Sequence, residues 1–160
     1  GEFLEETKGR RVSLIPGDAF ERAEVRRLAG WFDVKFYAEV SEPVITEKVV
    51  RRFLPREAGG GGLDMNRVRL AAQRLRHHLD YIGHLADHRP WLAGESLSIA
   101  DLAAAAHISV VDYFGDIPWA DYPVAKSWYQ RLKSRPSFRP LLADTVRGMA
   151  PAAIYADLDF

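Results

Sequence analysis

The 160-residue chain contains no cysteine. This absence excludes disulfide bonds, thiolate-bound zinc, iron–sulfur clusters and a cysteine nucleophile. The chain also lacks net charge, because 22 basic side chains balance 22 acidic ones, and neither the residues up to Leu63 nor those after it carry an excess of either sign. We therefore do not expect a polyanion such as nucleic acid as a partner. No apolar run reaches the ~18 residues of a membrane-spanning helix, so we expect no membrane insertion.

The first residues, GEFLEETKGR, are rich in charge and lack the apolar core of a signal peptide. We therefore expect a cytoplasmic protein. Phe3 and Leu4 lie among glutamates as in the last turn of a helix, and Gly9 follows where a helix C-cap is favoured. We interpret residues 1–8 as the end of a helix that belongs to a preceding domain, and residues 9–17 as the linker that follows it.

Apolar residues recur at helical spacing through most of the remaining chain. The first such series, at intervals of three or four residues, is Val25, Leu28, Phe32, Phe36 and Val40. Pro43 predicts an interruption, after which helical spacing resumes and ends before Pro55. No segment reads convincingly as a strand. We therefore predict an all-α bundle of five to six helices over residues 18–147, followed by a tail at residues 148–160.

The segment that follows Ser98 is the most apolar of the predicted helices. Because it is apolar on nearly all sides, we expect it at the centre of the bundle. Ser98 and Asp101 have the spacing of a capping box, in which two side chains satisfy the free N–H groups at a helix start. We assign this pair a structural role, and it carries no information about a substrate.

A stripe of aromatic and imidazole rings runs along the helix that Asp64 can cap, formed by His77, Tyr81, His84 and His88. Two histidines four residues apart can bind a divalent metal. Neither an H-E-x-x-H motif nor an obvious third ligand accompanies them. We therefore predict no metal site and interpret the stripe as a solvated or partly buried face.

Four cationic residues, Arg131, Lys133, Arg135 and Arg139, cluster near the C-terminal end of a short helix. Cations at this position complement the helix dipole, which favours a solvated structural face. The alternative is a surface on which an acidic segment of a partner docks.

Several motifs resemble, in their order and spacing, the C-terminal domain of glutathione S-transferases, and together they cover about residues 2–147. They are the segment from Trp91 through Ser98-Ile99-Ala100-Asp101 to Asp112, then Tyr122-Pro123, Trp128-Tyr129 and Arg135-Pro136-Ser137-Phe138. In that family a thioredoxin-like N-terminal domain holds the catalytic residue and the glutathione pocket. The resemblance implies that residues 1–8 are the remnant of its last helix. It also implies a homodimer for the full-length form.

No position in this chain matches the catalytic or glutathione-binding residues of the family. The chain also has no G-x-S-x-G motif and no histidine next to an evident nucleophile. We therefore assign no catalytic residue and no cofactor to this chain, and consider glutathione only for a full-length parent.

The resemblance implies a hydrophobic substrate site whose wall could include Trp31, Phe32, His107, Val110 and Phe114. Aromatic residues dominate ordinary protein cores, so the alternative is that most of these side chains are simply core.

The stretches VVDYFGDIPW and SRPSFRPLLAD and, above all, the terminal YADLDF resemble a bacterial cell-division branch of the family. That branch binds FtsZ filaments and is not thought to act as a transferase. The resemblance implies an FtsZ-binding adaptor, and we expect partner docking through five residues of the tail: Tyr155, Asp157, Leu158, Asp159 and Phe160. An alternative is that Tyr155 and Phe160 fold back and fill a groove on the same domain. A true transferase, with this domain as its hydrophobic-substrate half, is the alternative for the function.

Overall fold

The computed structural model describes Phe3, Glu5, Thr7 and residues 13–160. The predicted helix remnant at residues 1–8 lies outside the described residues except at those three positions. The predicted linker is described only from Ser13 onward, and residues 13–17 contain no helix.

The described residues form an all-α fold, as the sequence predicts, and contain no β-strand. The α-helices are Ala19–Gly30 (α1), Glu42–Ile45 (α2), Arg51–Phe53 (α3), Met65–Asp87 (α4), Ile99–Tyr113 (α5), Pro123–Lys133 (α6) and Arg139–Leu142 (α7). Two π-helical segments, Trp31–Ser41 (π1) and Thr46–Val50 (π2), join the first three α-helices, and short 3₁₀ turns cover Arg56–Ala58 and Trp119–Asp121. No helix in these described ranges is long and apolar enough to cross a membrane.

Acidic side chains begin two of the long helices. The carboxylate of Asp18 accepts hydrogen bonds from the N–H groups of Phe20 and Glu21, while Glu21 accepts one from the Asp18 N–H at 2.8 Å. Asp64 accepts from the N–H groups of Asn66 and Arg67 in the same way at the start of α4. These bonds satisfy donors that the first helical turn leaves without a partner.

The predicted interruption at Pro43 is not observed, because the chain stays helical from Ala19 to Phe53. Proline lacks an N–H donor and its ring collides with the carbonyl one α-turn earlier. Here Pro43 lies in the first turn of α2, directly after the wider π-helical turns of π1. We attribute the tolerance to this change of helical register. The helical stretch that begins at Ala19 ends before Leu54, whose backbone is extended in front of Pro55.

Helix α5 occupies the centre of the bundle, as its apolar sequence predicts. It packs against π1, α1 and α6, and α4 packs across α6 and π1. The largest buried side chains are aromatic: Phe32, Phe36, Trp128 and Tyr129. Burial of such side chains supplies most of the driving force for folding.

The last helix is shorter than the apolar spacing up to Val146 predicts, because α7 ends at Leu142. A turn from Val146 to Met149 follows, with Gly148 in the left-handed region at φ +73°. The tail, residues 148–160, then runs back across the end of α5. The Ala152 N–H donates to the Tyr113 carbonyl at 2.8 Å, and the Tyr113 hydroxyl donates to the Met149 carbonyl.

Candidate binding site

The first anchor of the tail is Tyr155, which is only 3% exposed. Its ring lies edge-on to the Tyr113 ring, with centroids 5.1 Å apart. Its hydroxyl lies 3.4 Å from the Leu141 carbonyl, to which it donates. Burial raises the pKa of Tyr155 to about 12. This side chain therefore belongs to the core of the domain.

The second anchor of the tail is Phe160, which packs on an aromatic floor. Its ring centroid lies 5.2 Å from that of Trp119 and 6.1 Å from that of Tyr129. The Gln130 side-chain amide donates to the Phe160 carbonyl at 3.3 Å. Trp119 and Tyr129 are themselves stacked, with an interplanar angle of 13°, so the tail closes a three-ring cluster.

A fully buried ion pair lies beneath the tail. The Nζ of Lys133 donates to the carboxylate of Asp112 at 3.2 Å, and both side chains have 0% exposure. The indole N–H of Trp119 donates to the other Asp112 oxygen at 2.9 Å. Burial raises the pKa of Asp112, against the effects of Trp119 and Lys133. Burial also lowers the pKa of Lys133, against the effect of Asp112.

The structure therefore divides the predicted basic cluster. Lys133 is not part of a solvated face, because α6 turns it into the core beside Asp112. Arg131 donates to the Pro90 carbonyl at 2.7 Å, and its guanidinium lies 5.8 Å from the Trp91 ring. Arg135 lies at a similar distance from the same ring. The expectation of one shared cationic surface is wrong for Lys133, since its apolar neighbours on α6 require it to face inward.

The structure also divides the five tail residues that we expected to dock on a partner. Tyr155 and Phe160 point inward, which agrees with the fold-back alternative for these two side chains. Leu158 is partly covered, while Asp157 and Asp159 are exposed. The expected five-residue docking strip is thus reduced to an outward-facing acidic pair with Leu158 between its members.

An apolar cavity of about 310 Å³ lies between the stretch that contains Ile45 and Val49, the second half of α5, and Tyr155 of the tail. Its lining is almost entirely apolar or aromatic and includes Ile45, Val49, Val110, Tyr113, Phe114 and Tyr155. Two of the five residues predicted for a hydrophobic wall, Val110 and Phe114, therefore line one cavity. Tyr155 was not predicted there, because only the fold brings the tail to the end of α5.

The other three residues predicted for this wall lie elsewhere. Phe32 is fully buried in the core. Trp31 donates its indole N–H to Nδ1 of His78 at 3.3 Å. His107 contacts the rings of Phe36 and Tyr37. These three side chains join π1 to α4 and α5, and so the core alternative describes them.

His107 makes two polar contacts that the sequence did not suggest. Its Nδ1 lies 2.9 Å from Ser41 Oγ, and its Nε2 lies 3.4 Å from Asp33 Oδ1. Serine, histidine and aspartate are the residue types of a hydrolytic triad. Ser41 is only 1% exposed, so its hydroxyl cannot reach a substrate. We interpret the contacts of His107 with Ser41 and Asp33 as a structural link between π1 and α5. Ser41 and His107 are 66 residues apart, so the sequence alone does not reveal this link.

The buried histidine of α4 is His78, which is not a member of the predicted ring stripe. Its Nε2 lies 2.9 Å from Glu39 Oε2. Since Trp31 donates to Nδ1, the neutral ring must carry its proton on Nε2 and donate to Glu39. Burial lowers the pKa of His78. Its place between Leu75 and Ile82, on the buried face of α4, is the sequence signal that could have identified it.

The same region contains no group of three or more histidine, aspartate or glutamate side chains arranged for a metal ion, within the part of the chain that the structure describes.

The capping-box residues hold the other end of α5. Asp101 is fully buried and accepts from the N–H and the hydroxyl of Ser98, both at 3.0 Å. It also accepts from the Leu92 N–H at 2.8 Å and from the Trp128 indole at 3.0 Å. Four neutral donors thus satisfy this carboxylate, which supports the structural role that the sequence predicts.

The sequence of this chain matches one family model and is similar to several known proteins. The family model "Glutathione S-transferase, C-terminal domain" matches residues 45–131. The "FtsZ-localized protein A" of Caulobacter vibrioides is 52% identical over 159 residues, which are 99% of this chain and 68% of that protein.

Two solved structures extend the comparison. The structure of FzlA from C. crescentus, 52% identical, has a TM-score of 0.91 and covers 99% of this chain and 68% of that one. A glutathione S-transferase from Sinorhizobium meliloti 1021, 51% identical, has a TM-score of 0.94 and covers 99% of this chain and 70% of that one. The chain therefore spans about two thirds of the length of these relatives.

Proposed function

Since the chain belongs to the glutathione S-transferase family through its C-terminal helical domain, we propose that it is the helical domain of a non-catalytic adaptor that associates with FtsZ filaments in the cytoplasm. The similarity to FtsZ-localized protein A supports this proposal, because it extends over 99% of the chain and includes the tail.

The observation that carries the proposal is the two-sided geometry of the tail. Tyr155 and Phe160 are fixed on the body of the domain, and the acidic side chains of Asp157 and Asp159 face solvent between them. An anchored segment binds a partner with less loss of conformational entropy than a free one. Exposed carboxylates also attract a basic surface of a binding partner and orient it during association. We therefore assign partner docking to the acidic pair and to Leu158.

The test is co-sedimentation of a full-length parent protein with FtsZ polymers. We expect Asp157→Lys to reduce the pelleted fraction at least about tenfold, because a repulsive charge replaces an attractive one. The matched control is Glu57→Lys, which makes the same charge change at an exposed acid far along the sequence. Equal pelleting of wild type and Asp157→Lys would remove the tail from the binding site.

A second candidate function is that of a transferase domain, and the apolar cavity favours it. Val110, Tyr113 and Phe114 line a space large enough for a small aromatic electrophile, and the S. meliloti relative is named a glutathione S-transferase. Under this proposal glutathione would bind to a domain outside this chain. A homodimer remains a prediction for the full-length form.

The test of the second candidate is retention of the full-length parent on immobilised glutathione, followed by turnover of a chloronitrobenzene substrate. We expect Val110→Trp to abolish turnover if the cavity holds the electrophile, because the larger side chain fills it. Retention without turnover in wild type would contradict transferase activity. We expect no turnover by this chain alone, because it contains no matched glutathione-binding residue.

A further inference from the structure

A single buried ammonium group contacts both ends of the outward-facing part of the tail. Nζ of Lys133 donates to the Ile154 carbonyl at 3.0 Å and lies 3.8 Å from the centroid of the Phe160 ring. Ile154 and Phe160 flank the five residues that include Asp157 and Asp159. We propose that Lys133 is a positioning residue, which holds the tail in the conformation that presents these acids. The proposal rests on the function proposed above for the acidic pair.

The geometry of the ammonium group accounts for this role. A lysine ammonium has three N–H donors and no acceptor. One is directed to the Asp112 carboxylate at 3.2 Å and one to the Ile154 carbonyl at 3.0 Å. The face of the Phe160 ring, with its negative quadrupole, lies within cation–π distance of the same atom. An ion pair, a hydrogen bond to a carbonyl group and a cation–π contact are therefore all present, and the last two involve the tail.

A purely structural role for Lys133 would require only the contact with Asp112. A buried ion pair is seldom more stable than a pair of well-packed apolar residues of similar size, so neutralising Asp112 does not by itself explain the lysine. Asp157 also acts on Lys133 by its charge, since it raises the pKa of the lysine against the effect of burial. The same cation therefore interacts with the body of the domain, with both ends of the segment and with one of its exposed acids.

Two variants of the full chain separate the two roles. Asp112→Asn removes the buried anion and retains the Lys133 side chain that makes both tail contacts. Asp112→Asn/Lys133→Met contains no buried charge and has lost the tail contacts. If Lys133 served only to neutralise Asp112, it would be an unpaired buried cation in Asp112→Asn, and its further removal would leave exchange in the tail unchanged or slow it.

The measurement is hydrogen–deuterium exchange read by mass spectrometry, with separate peptides from the tail and from α5. The N–H groups of Tyr155 and Asp157 donate to the Ala152 and Ile154 carbonyls, so their exchange reports closure of the tail. We expect at least about tenfold faster exchange at these two positions in the double variant than in Asp112→Asn, with α5 unchanged. Equal exchange in the two variants would overturn the proposal.

A third variant covers the case in which the double variant does not fold. Phe160→Leu keeps an apolar side chain and the buried ion pair but removes the aromatic face that Lys133 contacts. We expect a smaller increase in tail exchange, about threefold, again with α5 unchanged. No increase would contradict the positioning role.

Co-sedimentation with FtsZ polymers then separates this inference from the proposed function. We expect the double variant to pellet as weakly as Asp157→Lys. If exchange in the tail rises but pelleting by every variant equals that of wild type, the positioning role stands and the docking role fails. If Asp157→Lys weakens pelleting but exchange does not change on loss of Lys133, the docking role stands and the positioning role fails.

Discussion

The two ends of α5 each bury a carboxylate, and the two carboxylates are satisfied by different kinds of group. Asp101, in the first turn, accepts hydrogen bonds from Ser98, Leu92 and Trp128, all of which are neutral donors. Asp112, in the last turn, accepts from the Trp119 indole and from the charged Lys133.

The helix dipole explains why the two ends differ. The start of a helix carries partial positive charge and stabilises an anion, whereas its end carries partial negative charge and destabilises one. Neutral donors are therefore sufficient for Asp101. Asp112 requires a cation, and that cation reaches the tail. One buried acid therefore stabilises the fold alone, while the other connects the fold to the proposed binding segment.

The largest effect is expected at the first of these two ends. Asp101→Ala should lower the free energy of unfolding by about 4 kcal/mol, because several buried donors lose their acceptor at ~1–3 kcal/mol each. Ser98→Ala is the control, with an expected loss of about 1 kcal/mol. Urea denaturation followed by circular dichroism gives both values. A loss for Asp101→Ala no larger than that of the control would show that these donors find other partners.

Removal of the cation at the second end should cost nearly as much, but only at neutral pH. Lys133→Met should lower the free energy of unfolding by about 3 kcal/mol, because it leaves Asp112 as an unpaired buried anion. Burial already raises the pKa of Asp112, and loss of the lysine raises it further. A carboxyl group with a raised folded-state pKa contributes stability below that pKa and loses it as the pH rises.

The deficit of Lys133→Met relative to wild type should therefore shrink as the pH falls and Asp112 becomes protonated. Urea denaturation at a series of pH values measures the difference between the two proteins. A deficit that stays constant across the series would mean that Lys133 stabilises the domain through packing rather than charge.

Removing both charges should restore most of the stability lost in Lys133→Met. Asp112→Asn/Lys133→Met should lie within about 1 kcal/mol of wild type, because no buried charge remains and the amide oxygen can still accept from Trp119. The double-mutant cycle with each single variant gives the coupling energy. Additive losses would contradict a direct interaction between the two side chains.

The smallest effect on stability is expected in the outward part of the tail. Asp157→Lys should change the free energy of unfolding by no more than about 0.5 kcal/mol, because the side chain is exposed. Glu57→Lys should give a similar value. A large loss for Asp157→Lys alone would assign this acid to the fold rather than to a partner, and would undermine the binding test.

Patterns among residues close together in sequence predicted most of the helices and the capping box at the start of α5. The caps at Asp64 and Ser98 are short-range patterns, and each is at the start of a helix in the structure. The predicted interruption at Pro43 was wrong, because the spacing of apolar residues does not reveal a change from π-helical to α-helical turns.

The other end of α5 could not be predicted in the same way. Asp112 and Lys133 are 21 residues apart, and each reads as an ordinary polar position on its own helix. The only available signal was that Lys133 follows Tyr129 by four residues, on the face of α6 that also carries Trp128 and Leu132. The cavity was predicted only in part, because Val110 and Phe114 are close together in sequence, whereas Tyr155 of the tail and the residues before α3 that also line it are distant.

The contact between Tyr113 and Met149 spans 36 residues, and this separation has a consequence for the order of folding. Local helix contacts form fast, whereas contacts between distant segments close slowly. We therefore expect α5 and α6 to pair while water still surrounds Lys133, and the tail to close on them afterwards. A contact that forms late is commonly among the first to open again. Transient opening of the tail should then rehydrate the ion pair without unfolding the helices.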